Sequence, residues 1–205
     1  TPRPSRIGVT VAAQEILLRA FTMPLLPKSE REAGVGFEAR KYIPFRTEDL
    51  AWNCHLTERR PTKQMHVVFI GIRTQTLTRI QGWLQEAGVL PVFIESQSVS
   101  LSRVVAAPPR GKPGPCVGLV DVDVVGNVAH IVVVKDRIPY FSRDVRLQDQ
   151  AEVAASTSQE PDGRAKLLLS ELRLSLDFFA RVPVWMTSPL AVTTVRPSTF
   201  SRMVP

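Results

Sequence analysis

Between Ala107 and Pro115 the chain reads Ala-Pro-Pro-Arg-Gly-Lys-Pro-Gly-Pro, and no other stretch restricts its fold so tightly. Each proline lacks the amide hydrogen that a helix or a sheet ladder needs, and each glycine adds backbone freedom, so neither element forms here. The stretch reads as a linker over 107–115, with one folded part over 1–106 and a second over 116–205. At 205 residues, 44% of them hydrophobic and 22% charged, the chain has the length and composition of a globule with a real core.

Ahead of the linker, alternating apolar residues predict strands over Ile7 to Val11 and Ile16 to Phe21, paired through a short polar turn until Pro24 and Pro27 end the pairing. A helix follows from about Ser29 to Lys41. Ser29 and Glu32 form a Ser-x-x-Glu capping box at its start, and Pro44 stops it by excluding the helical conformation for Ile43. That register puts Ala33 and Phe37 on one face and the Phe37 ring in the core. Leu50 to Leu56 and Met65 to Ile72 read as a strand pair around the loop Thr57 to Lys63. A second helix spans about Thr74 to Ala87, with Leu77, Ile80, Leu84 and Ala87 at helical spacing and Gly88 placed to cap it. Val89 to Glu95 reads as a strand and Ser96 to Val105 as a short helix. The pattern is that of an α+β sheet with helices on one face.

Past the linker, Val117 to Val125 and Val128 to Val134 are rich in β-branched residues and read as buried strands. Tyr140 to Leu147 returns after a turn at Lys135-Asp136-Arg137. Gln148 to Gly163 is polar and reads as a loop. A helix from about Arg164 to Ala180 sets Leu168, Leu172, Ser175, Leu176 and Phe179 on one stripe. The last twenty residues show no clear period.

The chemistry this sequence excludes is as informative. No apolar run reaches the roughly 18 residues of a spanning helix, and no signal-peptide pattern follows Thr1-Pro2-Arg3-Pro4. Cys54 and Cys116 have no pairing pattern, which suits a reducing compartment. The net charge is +7 and the pI about 10.0, a balance that attracts acidic membrane surfaces. Arg40-Lys41 and Arg59-Arg60 are isolated pairs without the interleaved aromatics that stack bases, so nucleic acid is not the expected partner. His55, His66 and His130 stand singly on strands. Cys54 and His55, being adjacent on a strand, point to opposite faces and cannot form a dyad. Asp121 and Asp123 share a strand face, an arrangement open to a divalent cation, but strand-end carboxylates usually face solvent. No nucleophile elbow, phosphate-binding Gly-x-x-x-x-Gly-Lys or metal-ligand cluster is present, and no catalytic residue is assigned.

The run Phe37-Glu38-Ala39-Arg40-Lys41-Tyr42-Ile43-Pro44-Phe45 resembles the glutamate-rich helix and Tyr-Ile-Pro-Phe turn of the PilM family, actin-like proteins of type IV pilus assembly related to FtsA. The resemblance continues in order through Met23-Pro24, Glu86-Ala87-Gly88-Val89-Leu90-Pro91, Ser98 to Arg103, Leu119-Val120-Asp121, the hairpin from Ile131 to Arg143 and the helix Glu171 to Phe179. It covers residues 6 to 181. It implies a small inserted subdomain of PilM/FtsA type followed by a partial actin-like, ribonuclease H-like sheet lobe. It also implies a cytoplasmic scaffold, peripheral to the inner membrane, of a pilus or related type II secretion complex. Its partner would be the N-terminal tail of a PilN-like bitopic membrane protein, docked near Arg40, Lys41, Tyr42, Ile43 and Phe45. Oligomer formation stays open.

The family would be expected to hold ATP, yet this chain departs from the pattern. In the second phosphate hairpin, Asp121-Val122-Asp123-Val124-Val125-Gly126-Asn127, Asp121 matches, but Asp123 stands at a glycine position and Val124 and Val125 replace small residues. A carboxylate and β-branched bulk there oppose a triphosphate. The glycine-rich adenosine loop has no counterpart in Val182 to Pro205. No cofactor is expected, with ATP and Mg²⁺ entering only if the degenerate hairpin of Asp121, Asp123, Gly126 and Asn127 is completed elsewhere. The alternatives are a fragment of an ATP-binding actin-like pilus protein, and a basic adaptor for a membrane surface or nucleic acid.

Overall fold

A computed structural model describes residues 7–105, 116–123, 125–147, 162–180 and 190–194. In chain order the elements are β1 (Gly8–Val11), β2 (Ile16–Pro24), α1 (Arg31–Ala39), β3 (Leu50–Arg59), β4 (Gln64–Arg73), α2 (Thr74–Glu86), β5 (Phe93–Ser96) and α3 (Gln97–Ser102). These are followed by β6 (Cys116–Asp123), β7 (Val128–Lys135), β8 (Ile138–Arg146), α4 (Asp162–Ala180) and β9 (Leu190–Thr194). They divide into two compact units, the first holding residues up to 104 together with Ile138–Phe141 and the second the rest. The linker at 107–115, most of the loop at 148–163 and Val124 lie outside the described residues.

The first unit is built on a three-stranded antiparallel sheet in the order β2-β4-β3. Alternation decides what each face does. Phe21, Met23, Leu50, Met65, Val67 and Phe69 point one way and form a core with Val35 and Ala39 of α1 and with Ile43. Helix α1 carries two glycines, each costing about 1 kcal/mol in a helix interior. Gly34 sits at a close approach: a Cβ there would lie 2.4 Å from Leu26 Cδ1 and 3.1 Å from Met23 Cε, so those side chains would have to shift.

Five expectations are corrected in this unit. The Ser29–Glu32 capping box does not form, because Lys28–Glu30 is a 3-10 turn and Glu30 is the N-cap of α1, with no side-chain cap bond. The α-helix ends at Ala39, before Pro44 can act on it; the chain leaves through turns in which Tyr42 N and Ile43 N both donate to Ala39 O. Phe37 is 68% exposed, since Val35 and Ala39 take the buried face one residue pair away from Ala33 and Phe37. Strands β1 and β2 do not pair with each other: β1 runs parallel to β5 in a separate two-stranded sheet, and β2 lies against β4. The helices also divide between the faces, α1 on one and α2 toward the other, instead of sharing one. An exposed ring contributes little, so Phe37→Ala is expected to change the unfolding free energy by less than about 0.5 kcal/mol in urea titrations. A loss above about 2 kcal/mol would restore Phe37 to the core.

Helix α2 ends as its sequence predicts, with Ala87 at the C-cap and Gly88 at φ +68°, the left-handed position that glycine tolerates without strain. Ser96 caps α3 by accepting from Val99 N at 3.3 Å.

The four-stranded sheet has the order β8-β7-β6-β9, with β6 antiparallel to β7 and parallel to β9. The β7–β8 hairpin turns on Asp136 at φ 53° and Arg137 at φ 64°, the two left-handed residues of a type I′ turn. Leu168 and Leu172 of α4 pack on a core of Val120, Ala129, Ile131, Val145 and Leu147, and Ser175 is buried. The side chains of Leu176 and Phe179, expected on the same stripe, lie outside those described. Strand β9 was not legible in the sequence of the last twenty residues.

Candidate functional site

The face of the three-stranded sheet turned away from α1 opens into a groove of about 1030 Å³. Ile70 and Ile72 of β4, Leu77 and Leu84 of α2, and Ile94 of β5 give it apolar walls; Asn53, His55, Gln81 and Glu95 add polar groups. Two of its borders are strand edges and not strand faces, because every residue from Ala51 to His55 of β3 and from Phe93 to Ser96 of β5 lines it. Among the described residues β3 pairs with β4 alone and β5 with β1 alone, so neither edge carries a further strand, and on β3 the Cys54 N already donates to Asn53 Oδ1 at 2.7 Å. Burial lowers the pKa of His55, favouring the neutral imidazole in the groove. The neighbouring Cys54 packs on the α1 side, where burial first and the charge of Glu32 second raise its thiol pKa. The opposite pointing of this pair is as expected.

The turn after α1 is largely occupied by its own structure. Ile43 is buried in the core, 8% exposed. Tyr42 is 43% exposed, its ring stacked on Phe21 at 4.8 Å between centroids. Phe45 is 39% exposed, with the Arg73 guanidinium 5.5 Å over its ring. The basic groups are paired: Arg40 with Glu48, and Lys41 Nζ with Glu38 at 2.9 Å. Tyr42 and Phe45 remain as the exposed large apolar groups of the turn, and Phe45 lines a hollow of about 330 Å³ together with Ile43 and Pro44.

In the β6–β7 hairpin, Asp123 folds back on its own turn. Its Oδ1 accepts from Val125 N at 3.0 Å and from Gly126 N at 2.9 Å. The carboxylate thereby occupies two main-chain donors of the loop that resembles a phosphate hairpin. A Cβ at Gly126 would meet Asp123 Oδ2 at 2.3 Å, so glycine is needed for this closure. Asn127 adopts φ 51°, and its carbonyl accepts from Leu147 N at 2.7 Å, tying the turn to the end of β8. Asp121 lies half-buried opposite His130 in the β6–β7 register. His130 is itself buried, with Nδ1 2.5 Å from Asp144 Oδ1, a carboxylate partner that sequence reading did not find. No cluster of three metal-ligating side chains exists among the described residues. No helix among them is long and apolar enough to cross a membrane.

An α+β protein with a helix-covered three-stranded subdomain and a second unit built on a mixed sheet is the class these observations define. No known family profile matches the chain, and no curated protein does. Among solved structures it is similar to the PilM–PilN type IV pilus biogenesis complex, at TM-score 0.64 and 19% identity, over 93% of this chain and 63% of that one. It is also similar to the cytoplasmic domain of EpsL, an inner membrane component of the type II secretion system of Vibrio cholerae. There the TM-score is 0.52 and the identity 15%, over 95% of this chain and 63% of that one. The fold is therefore of the PilM type, as the resemblance implied, and the chain spans 63% of the length of each of these structures.

Proposed function

We propose that the chain is a non-catalytic scaffold of a type IV pilus or related type II secretion assembly at the cytoplasmic face of an inner membrane. It docks the extended N-terminal tail of a PilN-like, membrane-anchored protein. The observation that carries this reading is the groove bordered by the outer edges of β3 and β5. An extended peptide adds its main-chain hydrogen bonds to such an edge while alternate side chains enter apolar pockets, here the one walled by Ile70, Ile72, Leu84 and Ile94. The likeness to a PilM–PilN complex supplies the kind of occupant. Tyr42 and Phe45, exposed on the turn after α1, are the alternative contact surface for the tail.

Nucleotide has no part in this reading. Asp123 neutralises the amides of Val125 and Gly126 that an anion would need, and its charge repels a phosphate. Titration with MgATP is expected to release no heat, and a micromolar dissociation constant would favour an ATP-binding fragment instead.

The docking itself is tested with a synthetic peptide of a PilN-like cytoplasmic tail, followed through tryptophan fluorescence, to which Trp52 on the groove wall contributes. Leu84→Glu, which sets a carboxylate among the apolar walls, is expected to weaken the peptide at least 10-fold, equivalent to about 1.4 kcal/mol. Phe45→Glu is expected to leave it within about 2-fold. The reverse order of effects would move the site to the turn after α1, and no response from either variant would end the docking proposal.

A further inference from the structure

We infer that the tip of the β3–β4 hairpin is a basic knob that seats on an anionic lipid surface. Strands β3 and β4 pair without interruption from Leu50 opposite Arg73 to Arg59 opposite Gln64, so the tip stands at the end of a stiff arm. Its backbone is fixed. Lys63 N donates to Arg60 O at 3.1 Å, Thr62 Oγ1 donates to Arg59 O at 3.3 Å, and Leu25 N donates to Lys63 O at 2.9 Å, with Lys63 in the left-handed region at φ 50°. Arg59, Arg60 and Lys63 are all exposed.

The acid beside them does not cancel this charge. Glu58 is held by Arg31 Nη2 of α1 at 2.6 Å, and Arg60 Nε approaches its second oxygen only at 3.6 Å. One carboxylate shared by two guanidiniums leaves the group positive before Lys63 is counted. The whole chain, at net charge +7, reinforces the attraction.

A bilayer suits this geometry better than nucleic acid does. The tip from Arg59 to Lys63 contains no aromatic ring on which a base could stack, and it offers no helix to enter a groove. A diffuse layer of anionic headgroups asks only for cations within a Debye length, each contributing about 1 kcal/mol. Seven residues of extended strand, roughly 23 Å, separate Arg60 from Asn53 in the groove, so tip and groove can be engaged together. The inference stands on the charge and order of the tip alone and does not require the groove to bind a peptide.

Sedimentation of the whole chain with vesicles, and no partner protein present, tests it. The chain is expected to pellet with mixed phosphatidylglycerol and phosphatidylcholine vesicles at low salt, to be released as salt rises, and to ignore pure phosphatidylcholine. Replacing two tip cations, Arg60→Ala with Lys63→Ala, is expected to lower the partition coefficient on the order of 25-fold, about 5-fold for each. Arg146→Ala, which removes an exposed cation of the second unit, is expected to change it less than 2-fold. Circular dichroism identical to the parent chain shows that the double variant is folded; Arg60→Ala alone, expected at about 5-fold, replaces it if it is not. Equal partition of parent and folded variant overturns the inference, as does binding to neutral vesicles. Tighter binding to duplex DNA than to the acidic vesicles, lost in the same variant, assigns the tip to nucleic acid instead.

Discussion

Phe69→Ala is expected to lower the free energy of unfolding by about 3–5 kcal/mol, the range for removing a fully buried aromatic ring. Phe69 occupies the central strand β4, is completely buried, and lies between Arg19 of β2 and Cys54 of β3 in the sheet register. Its ring stacks on Trp52 at 5.2 Å between centroids, a contact of about 0.5–1.5 kcal/mol beyond the buried area. Collapse of α1 into the resulting cavity is resisted at Gly34, where the helix already lies against Leu26 and Met23. Urea unfolding followed by tryptophan fluorescence measures the loss. A value below about 1.5 kcal/mol would mean that the sheet and α1 close over the gap. Because Trp52 also borders the groove, loosening its support is expected to weaken peptide docking in conditions where the variant is still folded.

Elements whose signals are local were legible in the sequence, and those decided by distant partners were not. The β3–β4 pair follows from alternation, α2 from its apolar period and Gly88, and the β7–β8 hairpin from a polar turn that takes two left-handed residues. The pairing of β1 with β5 joins residues some 85 positions apart, and short apolar runs carry no label for such a partner. Strand β9 adds to β6 in the same way, without a turn signal of its own. In the nine residues of α1, the stripe Ala33 and Phe37 competes with the stripe Val35 and Ala39. The capping-box register pointed to the first, but the helix turns the second onto the sheet, with Gly34 lying close to Leu26 and Met23. The candidate site shares this division. The aspartate at the glycine position of the phosphate hairpin is visible as a sequence departure, whereas its two main-chain bonds are not. The groove is bounded by edges of strands from two sheets, so no single motif marks it.

Acid is expected to destabilise the first unit well before its carboxylates are protonated, through His66. This imidazole is only 3% exposed, and burial first, then the charge of Arg59, pushes its pKa down to about 4 from an ordinary 6.5. Above pH 6.5 it is neutral in both folded and unfolded chains, so no proton is exchanged and the full stability is present. Between pH 6.5 and 4 the unfolded chain binds a proton that the folded chain refuses, and stability falls with pH at up to about 1.4 kcal/mol per unit. The loss attributable to this residue approaches roughly 3 kcal/mol and levels off below the folded pKa. His55, also lowered by burial, acts in the same direction, while Glu58, lowered by Arg31, adds its loss only at more acidic pH. Subtracting the unfolding curves of a His66→Gln variant isolates the His66 share, since glutamine keeps a polar side chain that does not titrate. The difference in stability between pH 7 and pH 4.5 is expected to be smaller in the variant by at least 1.5 kcal/mol. Parallel pH profiles for parent and variant would place the acid sensitivity elsewhere in the chain.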